Sequence, residues 1–419
     1  MAKICRHGVA AWVALALFPA CGGSGSDGPL TVSGTVSSAE LGAVSGAEVR
    51  IGSARSTTDS SGHFNIPNVV APYDLVVVLT AARAATIYEG LTRADPTVFV
   101  DAVSLSSQKI GRINGQISGG SPPGNGTVET WVTFASSDPS VRHVTEPVDP
   151  PSFEYEVRWY GPSSAVTGNL RGLKFESSNG LASRFLGYGV NSGVRATAGE
   201  TIDASISLSA VTWGTISGAV TVPGGVTLSD RLAGIRFPDG AILPVGSERA
   251  PSSSTFSYLV PDVPGGAALV FASGFGPGGE RVFVQVRDVP QAASNVQITL
   301  PPPVSALLPI DGATGIGTSA DFSWTPIPGG NVVYTFSAFP TGGGSNLPSF
   351  VIVTGATSVR LPDLSSEALG LPSSVEYSWS VSATGPQPSV DSAAGPSGVA
   401  PTGSTLAQGS TLLRLFTTP

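Results

Sequence analysis

Cysteine and histidine, which often carry nucleophilic, metal-binding or acid–base chemistry, are scarce in this chain. Its 419 residues include two cysteines, Cys5 and Cys21, and three histidines. Because both cysteines lie near the amino terminus, the chain beyond them cannot form disulfides, thiolate metal sites or cysteine nucleophiles. Only His63 and His143 follow the first twenty residues, too few for a histidine-based metal site or proton relay. The sequence therefore predicts no catalytic residue, no metal and no cofactor.

Acidic residues gather around one of these histidines. His143 is close in sequence to Asp138, Glu146 and Asp149, in a proline-rich stretch. A weak metal site and a plain acidic loop are the alternative interpretations, and a single histidine among separated carboxylates favours the loop. His63 occupies a predicted turn, where a solvated side chain is favoured over a ligand.

Glu154 and Glu156 are the closest pair of carboxylates outside the predicted loops. Two positions apart on a strand, they share one face with Arg158. A glycosidase needs carboxylates that face each other across a cleft, with one of them desolvated enough to hold a proton. The sequence also lacks a G-x-S-x-G elbow, a P-loop, an H-E-x-x-H pair and an EF-hand spacing. We predict that the chain is not an enzyme.

Cys21 is the residue for which covalent chemistry is predicted. Residues 1–20 place Lys3 and Arg6 before an apolar run at 9–18, too short for the roughly 20 residues that span a bilayer as a helix. Residues 21–29 then form a glycine- and serine-rich tether. This arrangement resembles a bacterial lipoprotein signal peptide.

The lipoprotein resemblance implies that Cys21 is lipidated and becomes the new amino terminus. Gly22 in place of aspartate implies sorting to the outer membrane of a Gram-negative cell, with the protein facing the periplasm or the cell surface. The alternative is an ordinary cleaved leader and a secreted product.

Composition indicates many short strands and turns. Gly (53) and Pro (35) are abundant and charged residues make up only 12% of the chain, while apolar residues remain plentiful at 41%. This balance disfavours long helices and wholesale disorder. The formal net charge of −8 disfavours nucleic acid as a partner.

Three stretches repeat one pattern, in which an apolar-x-Gly-x-apolar opening precedes an aromatic strand. The opening glycines are Gly34, Gly115 and Gly218, and the aromatic strands begin at Phe64, Phe153 and Phe256. The clearest strand alternates buried-type residues with charged ones, namely Phe153, Tyr155, Val157 and Trp159 with Glu154, Glu156 and Arg158. A period of two predicts a β-strand with one aromatic face in the core.

Residues 30–106 resemble the carboxypeptidase regulatory-like domain, a transthyretin-like β-sandwich. The resemblance rests on the sequences at 33–36, 46–49, 58–64 and 73–78. Residues 107–211 and 212–301 share its opening and its aromatic strand, so they are interpreted as related sandwiches.

Residues 304–419, after the predicted stiff linker Pro301 to Pro303, resemble a fibronectin type III or immunoglobulin-like sandwich. Trp324 is interpreted as the core tryptophan of such a sandwich, and Leu371-Pro372 before Tyr377 resembles its tyrosine corner. Residues 385–409, rich in Gly, Pro, Ser and Ala, are interpreted as an enlarged loop. The fold class predicted for the whole chain is all-β, a string of tandem β-sandwich modules.

Trp131 departs from the alternation of its strand. Val132 and Phe134 occupy one face, so Trp131 faces the other. Two interpretations remain: the indole packs against a neighbouring module, or it is exposed and stacks on a sugar ring.

The predicted function is that of a non-catalytic envelope lipoprotein, acting in surface display, structural spacing or weak adhesion. The predicted partners are the membrane, through lipid on Cys21, and cell-surface or environmental glycan, with nucleic acid excluded. The alternatives are a carbohydrate-binding surface protein and an accessory part of an envelope hydrolase system.

Overall fold

The computed structural model describes residues 28–38, 41–101, 107–342, 347–399 and 403–419. Strands account for 57% of the chain and helix for 3%, which confirms the all-β fold class. We keep the four sequence divisions as a proposal and name them the first (30–106), second (107–211), third (212–301) and fourth (304–419) segments. The leader at 1–20 and Cys21 lie outside the described residues.

The strands of the first two segments are mostly antiparallel. The first segment contains β1 (Leu30–Ser38), β2 (Gly42–Ala43), β3 (Glu48–Ile51), β4 (Ala54–Thr57), β5 (His63–Val69), β6 (Tyr73–Leu79), a 3-10 turn (Thr80–Ala82), β7 (Ala84–Leu91) and β8 (Thr97–Phe99). The second contains β9 (Lys109–Gly119), β10 (Thr127–Ala135), β11 (Val141–Arg142), β12 (Thr145–Pro147), β13 (Ser152–Trp159), β14 (Ala165–Ser178), β15 (Leu181–Thr197), β16 (Thr201–Asp203) and β17 (Ile206–Leu208).

The last two segments complete the strand order and add one short helix. The third contains β18 (Trp213–Thr221), β19 (Thr227–Arg236), β20 (Ile242–Arg249), β21 (Thr255–Pro261), β22 (Ala267–Phe275), β23 (Arg281–Val289) and β24 (Val296–Thr299). The fourth contains β25 (Ala306–Leu308), β26 (Ala313–Thr314), β27 (Asp321–Trp324), β28 (Val333–Pro340), β29 (Ser349–Thr354), β30 (Ser358–Arg360), a 3-10 turn (Ser365–Glu367), β31 (Glu376–Gly385), α1 (Val390–Ala393), β32 (Thr405–Ser410) and β33 (Arg414–Thr417).

The opening repeat of the first three segments is confirmed as one packing unit. In each segment, the opening strand lies between the aromatic strand, which is antiparallel to it, and the closing strand, which is parallel. The repeated glycine pairs directly with the repeated phenylalanine, as Gly34 with Phe64, Gly115 with Phe153 and Gly218 with Phe256.

Close approach explains why these three positions are glycine. A Cβ added at Gly34, Gly115 or Gly218 would lie 2.7, 2.6 or 2.7 Å from the tip of the paired phenyl ring. It would also lie within 2.4 Å of a backbone carbonyl oxygen in every case, that of Pro96, Ala204 or Val296. Any larger residue would therefore force the sheet apart.

The alternation predicted for β13 is also confirmed. Its aromatic and aliphatic face is buried, and Trp159 is fully covered in the core of the second segment. The indole nitrogen of Trp159 donates a 2.9 Å hydrogen bond to the Ser163 carbonyl, which satisfies its buried polar atom. The charged residues of β13 lie on the opposite, solvent-facing side.

Within the described ranges, the segments are joined edge to edge into a continuous sheet of eighteen strands. Strand β29 of the fourth segment pairs in parallel with β7 of the first, from Ser349 opposite Ala84 to Val353 opposite Tyr88. At its other edge, β32 pairs antiparallel with β23 of the third segment. The third segment meets the second through the single pair Leu181 and Gly246. The chain therefore folds back on itself, so that its fourth segment pairs with both the first and the third.

The interpretation of residues 385–409 as an enlarged loop was wrong. This stretch contains helix α1 and most of strand β32, and both contact other segments. Val390 of α1 packs into the core of the first segment, where Asp391 accepts a 2.8 Å hydrogen bond from the Thr92 amide. Small residues permit this close docking, but their composition alone is typical of loops.

Two further details of the fourth segment differ from expectation. Val304, directly after the predicted proline linker, is fully buried in the fourth core, so the linker leads straight into packed structure. Trp324 is buried as predicted. The Tyr377 hydroxyl, however, is buried without a hydrogen-bond partner, so the tyrosine-corner bond is not formed.

Glu367 anchors the contact between the fourth segment and the first. Its carboxylate, with a side chain only 2% exposed, pairs with Arg50 and lies 3.0 Å from the Arg55 guanidinium. Burial alone raises the pKa of Glu367. The Ser366 hydrogen bond and the two arginine charges oppose this and hold that pKa below its ordinary value.

We predict that Glu367→Gln lowers the free energy of unfolding by roughly 1.5 to 3 kcal/mol at pH 7, the range for hydrogen bonds to charged groups. Because the folded-state pKa of Glu367 is depressed, its contribution is complete above the ordinary pKa and disappears as the pH falls through the folded value. Denaturation at several pH values measures this loss.

Glu154→Gln is the matched control, since Glu154 makes only an exposed ion pair with Arg112. Equal effects of the two substitutions at pH 7 would show that Glu367 does not hold the segments together.

Candidate functional site

The two histidines singled out in the sequence both lie next to turns. His63 follows the turn in which Asp59 accepts hydrogen bonds from the amides of Ser61 and His63, at 2.8 and 2.9 Å. The His143 ring lies against the turn at Gly240 of the third segment, with its Nε2 atom 3.3 Å from the Ser136 carbonyl oxygen. Within the part of the chain that the structure describes, no group of three or more His, Cys, Asp or Glu side chains could hold a metal ion.

The Glu154 and Glu156 pair lies on an open sheet face. Arg112 on the neighbouring strand is 3.5 Å from Glu154 and 3.2 Å from Glu156, and Arg158 is 2.6 Å from Glu156. The hydrogen bond from Arg158 lowers the pKa of Glu156. This direction opposes that needed by a general acid.

The sequence did not indicate that a third carboxylate shares this face. Asp203 on β16 flanks Asn114 on one side, and Glu154 flanks it on the other. Both carboxylates are exposed, in a shallow groove of about 530 Å³. Without burial to keep one of them protonated, the arrangement does not form the acid and base of a glycosidase.

Trp131 lies at the junction of the second and third segments. Its side chain is half-buried and packs against the core that the third segment shares with Leu173 and Phe175 of the second. The indole nitrogen donates a 3.2 Å hydrogen bond to Glu129. The ring does face away from Val132 and Phe134, and part of it is covered by the core cluster to which the second and third segments both contribute. Its role in stacking on a sugar stays a prediction.

Charged contacts reinforce the same junction. Arg171, which is 6% exposed, pairs with Asp239 at 2.6 Å, and its guanidinium lies 4.2 Å from the centre of the Phe237 ring. Burial raises the pKa of Asp239, but the hydrogen bonds from Arg171 and Asn169 outweigh it and lower that pKa overall. This pair therefore serves the contact between segments.

Trp213, at the start of β18, is more exposed than Trp131. Its side chain is 42% exposed, and its ring centre lies 6.1 Å from that of Phe185 in the second segment. Trp213 is the first residue of its strand, so no break in alternation marks it in the sequence.

An aromatic platform covers the outer face of the sheet where the third and fourth segments join. Phe271 on β22 and Phe283 on β23 are half-buried, with ring centres 5.5 Å apart. The adjoining groove of about 410 Å³ is also lined by polar side chains, namely Ser273, Arg281, Ser382, Gln408 and Ser410. The alternation of β22 and β23 indicates this face, but the partner strand β32 comes from residues interpreted as a loop.

An aliphatic patch marks one end of the fourth segment. It is formed by Leu307, Leu308, Ile310, Leu412 and Leu413, each at least half exposed. The Arg414 guanidinium joins the two stretches by donating 3.1 Å hydrogen bonds to the Leu307 and Pro309 carbonyls. Exposed patches of this kind occur at interaction surfaces.

No helix among the described residues has the length and apolar character to cross a membrane.

Comparisons with known proteins give remote structural matches only. No family model matches the chain, and no curated protein matches it. The Bacillus anthracis TIE protein is 10% identical, with a TM-score of 0.16, over 65% of this chain and 50% of that protein. The Bacillus cereus major pilin subunit BcpA is 9% identical, with a TM-score of 0.16, over 65% of this chain and 99% of that one.

A Streptococcal ancillary pilin is 9% identical, with a TM-score of 0.15, over 64% of this chain and 98% of that one. This chain thus spans half the length of the TIE protein and nearly all of the two pilins. Similarity at these values carries no argument about what the chain binds or does.

We predict that Trp131→Ala lowers the free energy of unfolding by about half of the 3 to 5 kcal/mol typical of a fully buried tryptophan, because its indole packs on the shared core. Trp213→Ala, at a more exposed ring, is the comparison. Thermal and chemical denaturation measure both. An unchanged melting temperature for Trp131→Ala would contradict the packing role and favour a solvent-facing stacking site.

Proposed function

We propose that this protein is a non-catalytic envelope lipoprotein that acts as a rigid spacer and display unit. The observation that supports this most is the continuous sheet, in which the fourth segment pairs with the first at one edge and with the third at the other. Domains joined by flexible linkers move relative to one another by default. Backbone pairing between segments opposes such motion, as a spacer requires.

The proposed anchor and the folded body are close in sequence. Cys21 precedes the first described residue, Gly28, by seven positions, and β1 begins at Leu30. Nine residues at 21–29 span at most about 30 Å when fully extended. Lipid on Cys21 would therefore hold the first segment near the outer membrane, in the periplasm or at the cell surface. The bacterial lipoprotein, carboxypeptidase regulatory-like and fibronectin type III-like resemblances belong to the same proposal.

A carbohydrate-binding surface protein is the second candidate. The aromatic platform favours it, because it combines half-buried rings with polar side chains on an accessible face. No observation favours the accessory role in a hydrolase system over these two.

The anchoring experiment compares membrane partitioning of the wild type and two variants in a lipoprotein-competent Gram-negative host. We predict that the wild type sediments with membranes and incorporates labelled fatty acid, and that Cys21→Ser loses the label. Cys5→Ser is the matched control, because Cys5 lies within the proposed leader and should leave labelling unchanged.

The same experiment tests lipid anchoring and surface exposure separately. A wild type without label would contradict the lipoprotein proposal. If the labelled wild type is reached by protease or antibody on intact cells, the surface-facing form is favoured, and protection until the outer membrane is opened favours the periplasmic form.

A further inference from the structure

The aromatic platform has the geometry of a built surface. Strand β23 is its centre, with Phe283 opposite Ser273 on one side and opposite Gln408 on the other. Phe271 lies beside Phe283 with the ring planes tilted by 40°. Two apolar rings therefore lie next to hydroxyl and amide groups on neighbouring strands, across the junction of two segments.

The polar side chains around the rings have unused hydrogen-bonding capacity. Among the described residues, the side chains of Arg281, Ser382, Gln408 and Ser410 make no hydrogen bond or ion pair, and the Arg281 guanidinium lies 5.7 Å from the centre of the Phe275 ring. Ser273 differs, because its hydroxyl donates to Asp230 at 3.1 Å. The Asp230 carboxylate is thus already bonded to Ser273, and Arg281 forms no ion pair among the described residues.

These features fit a sugar chain better than a flat apolar partner. The C–H faces of a sugar ring pack on aromatic rings, and its hydroxyl groups bond to amide and hydroxyl side chains. A planar guanidinium recognises a carboxylate through two parallel hydrogen bonds. On this face Arg281, which lines the groove and forms no ion pair among the described residues, is the guanidinium that could recognise such a carboxylate.

We propose that the aromatic platform binds a carboxylate-bearing polysaccharide, with Phe271 and Phe283 stacking on the sugar rings and Arg281 pairing with a carboxylate. Gln408 and the hydroxyls of Ser382 and Ser410 bond to sugar hydroxyl groups. This deepens the carbohydrate-binding candidate. It rests on that second candidate function, but binding itself does not depend on lipidation.

The test uses detergent-purified full-length protein, with polygalacturonate as the acidic probe and dextran as the neutral one. Binding is measured by affinity electrophoresis and calorimetry at low salt. We expect wild type to bind polygalacturonate more tightly than dextran. Phe283→Ala should weaken binding to polygalacturonate at least tenfold, and Arg281→Gln should weaken it about tenfold and remove the preference over dextran.

Matched controls lie elsewhere on the surface. Phe339→Ala removes a ring that is 41% exposed on β28, and Arg195→Gln removes an exposed arginine of the second segment. Both should bind like wild type, and a cooperative melt well above the temperature of the binding assay should show that every variant is folded.

Three results would overturn the proposal: no binding of polygalacturonate by wild type, equal binding of dextran and polygalacturonate, or equal losses in the control variants. Self-association of the wild type that is abolished by Phe283→Ala would also overturn it, since a second copy would then cover the platform. A failure to bind glycan leaves the fatty-acid labelling of Cys21 unaffected, so the two proposals fail separately.

Discussion

Backbone pairing at the two edges of the fourth segment is the constraint on which the arrangement of the molecule depends. Edge strands present unpaired amide and carbonyl groups that readily recruit another strand. Here β29 gives one edge to β7 and β32 gives the other to β23. Both edges are thereby covered within the chain, and the fourth segment joins the first and third in one sheet.

Side-chain packing follows from this pairing. Val333 and Val353 of the fourth segment lie in the core of the first, while Ala85 and Ile87 of the first lie in the core of the fourth. Each of these cores is therefore incomplete without residues from the other segment. The buried Glu367 carboxylate helps to fix the orientation of the fourth segment against the first, because arginines of the first segment must offset its desolvation. The aromatic platform depends on the other joint, since its two sides come from the third and fourth segments.

Local patterns in the sequence predicted what happens within a segment. The pairing of Gly115 with Phe153 and the burial of Trp159 both follow from the repeated opening and a period of two. Alternation predicts which side of a strand is apolar, but it does not predict which residues cover that side. Trp131 was therefore assigned correctly to the face opposite Val132. Packing against a neighbouring segment, however, was only one of two interpretations of its role.

The pairing of strands that are distant in the chain could not be predicted from the sequence for the same reason. Residues 405–410 are polar and small, so they carry no strand pattern, and their pairing is decided by the edge of β23 that they meet. The platform around Phe283 could not be recognised without that neighbour. A buried charge such as Glu367 is similarly indistinguishable in sequence from an exposed one, because its arginine partners are more than 300 positions away.

The central claim is that the fourth segment fixes the first and third segments in one rigid body. The most direct measurement is the distance distribution between spin labels at Ser53→Cys in the first segment and Ser252→Cys in the third, in a chain with Cys5→Ser and Cys21→Ser. Both serines are exposed and outside the strands. We predict one narrow distribution of distances between the two labels, and a broader distribution in Glu367→Gln. A broad distribution in the otherwise unmodified labelled chain would contradict it, because it would show segments that move independently.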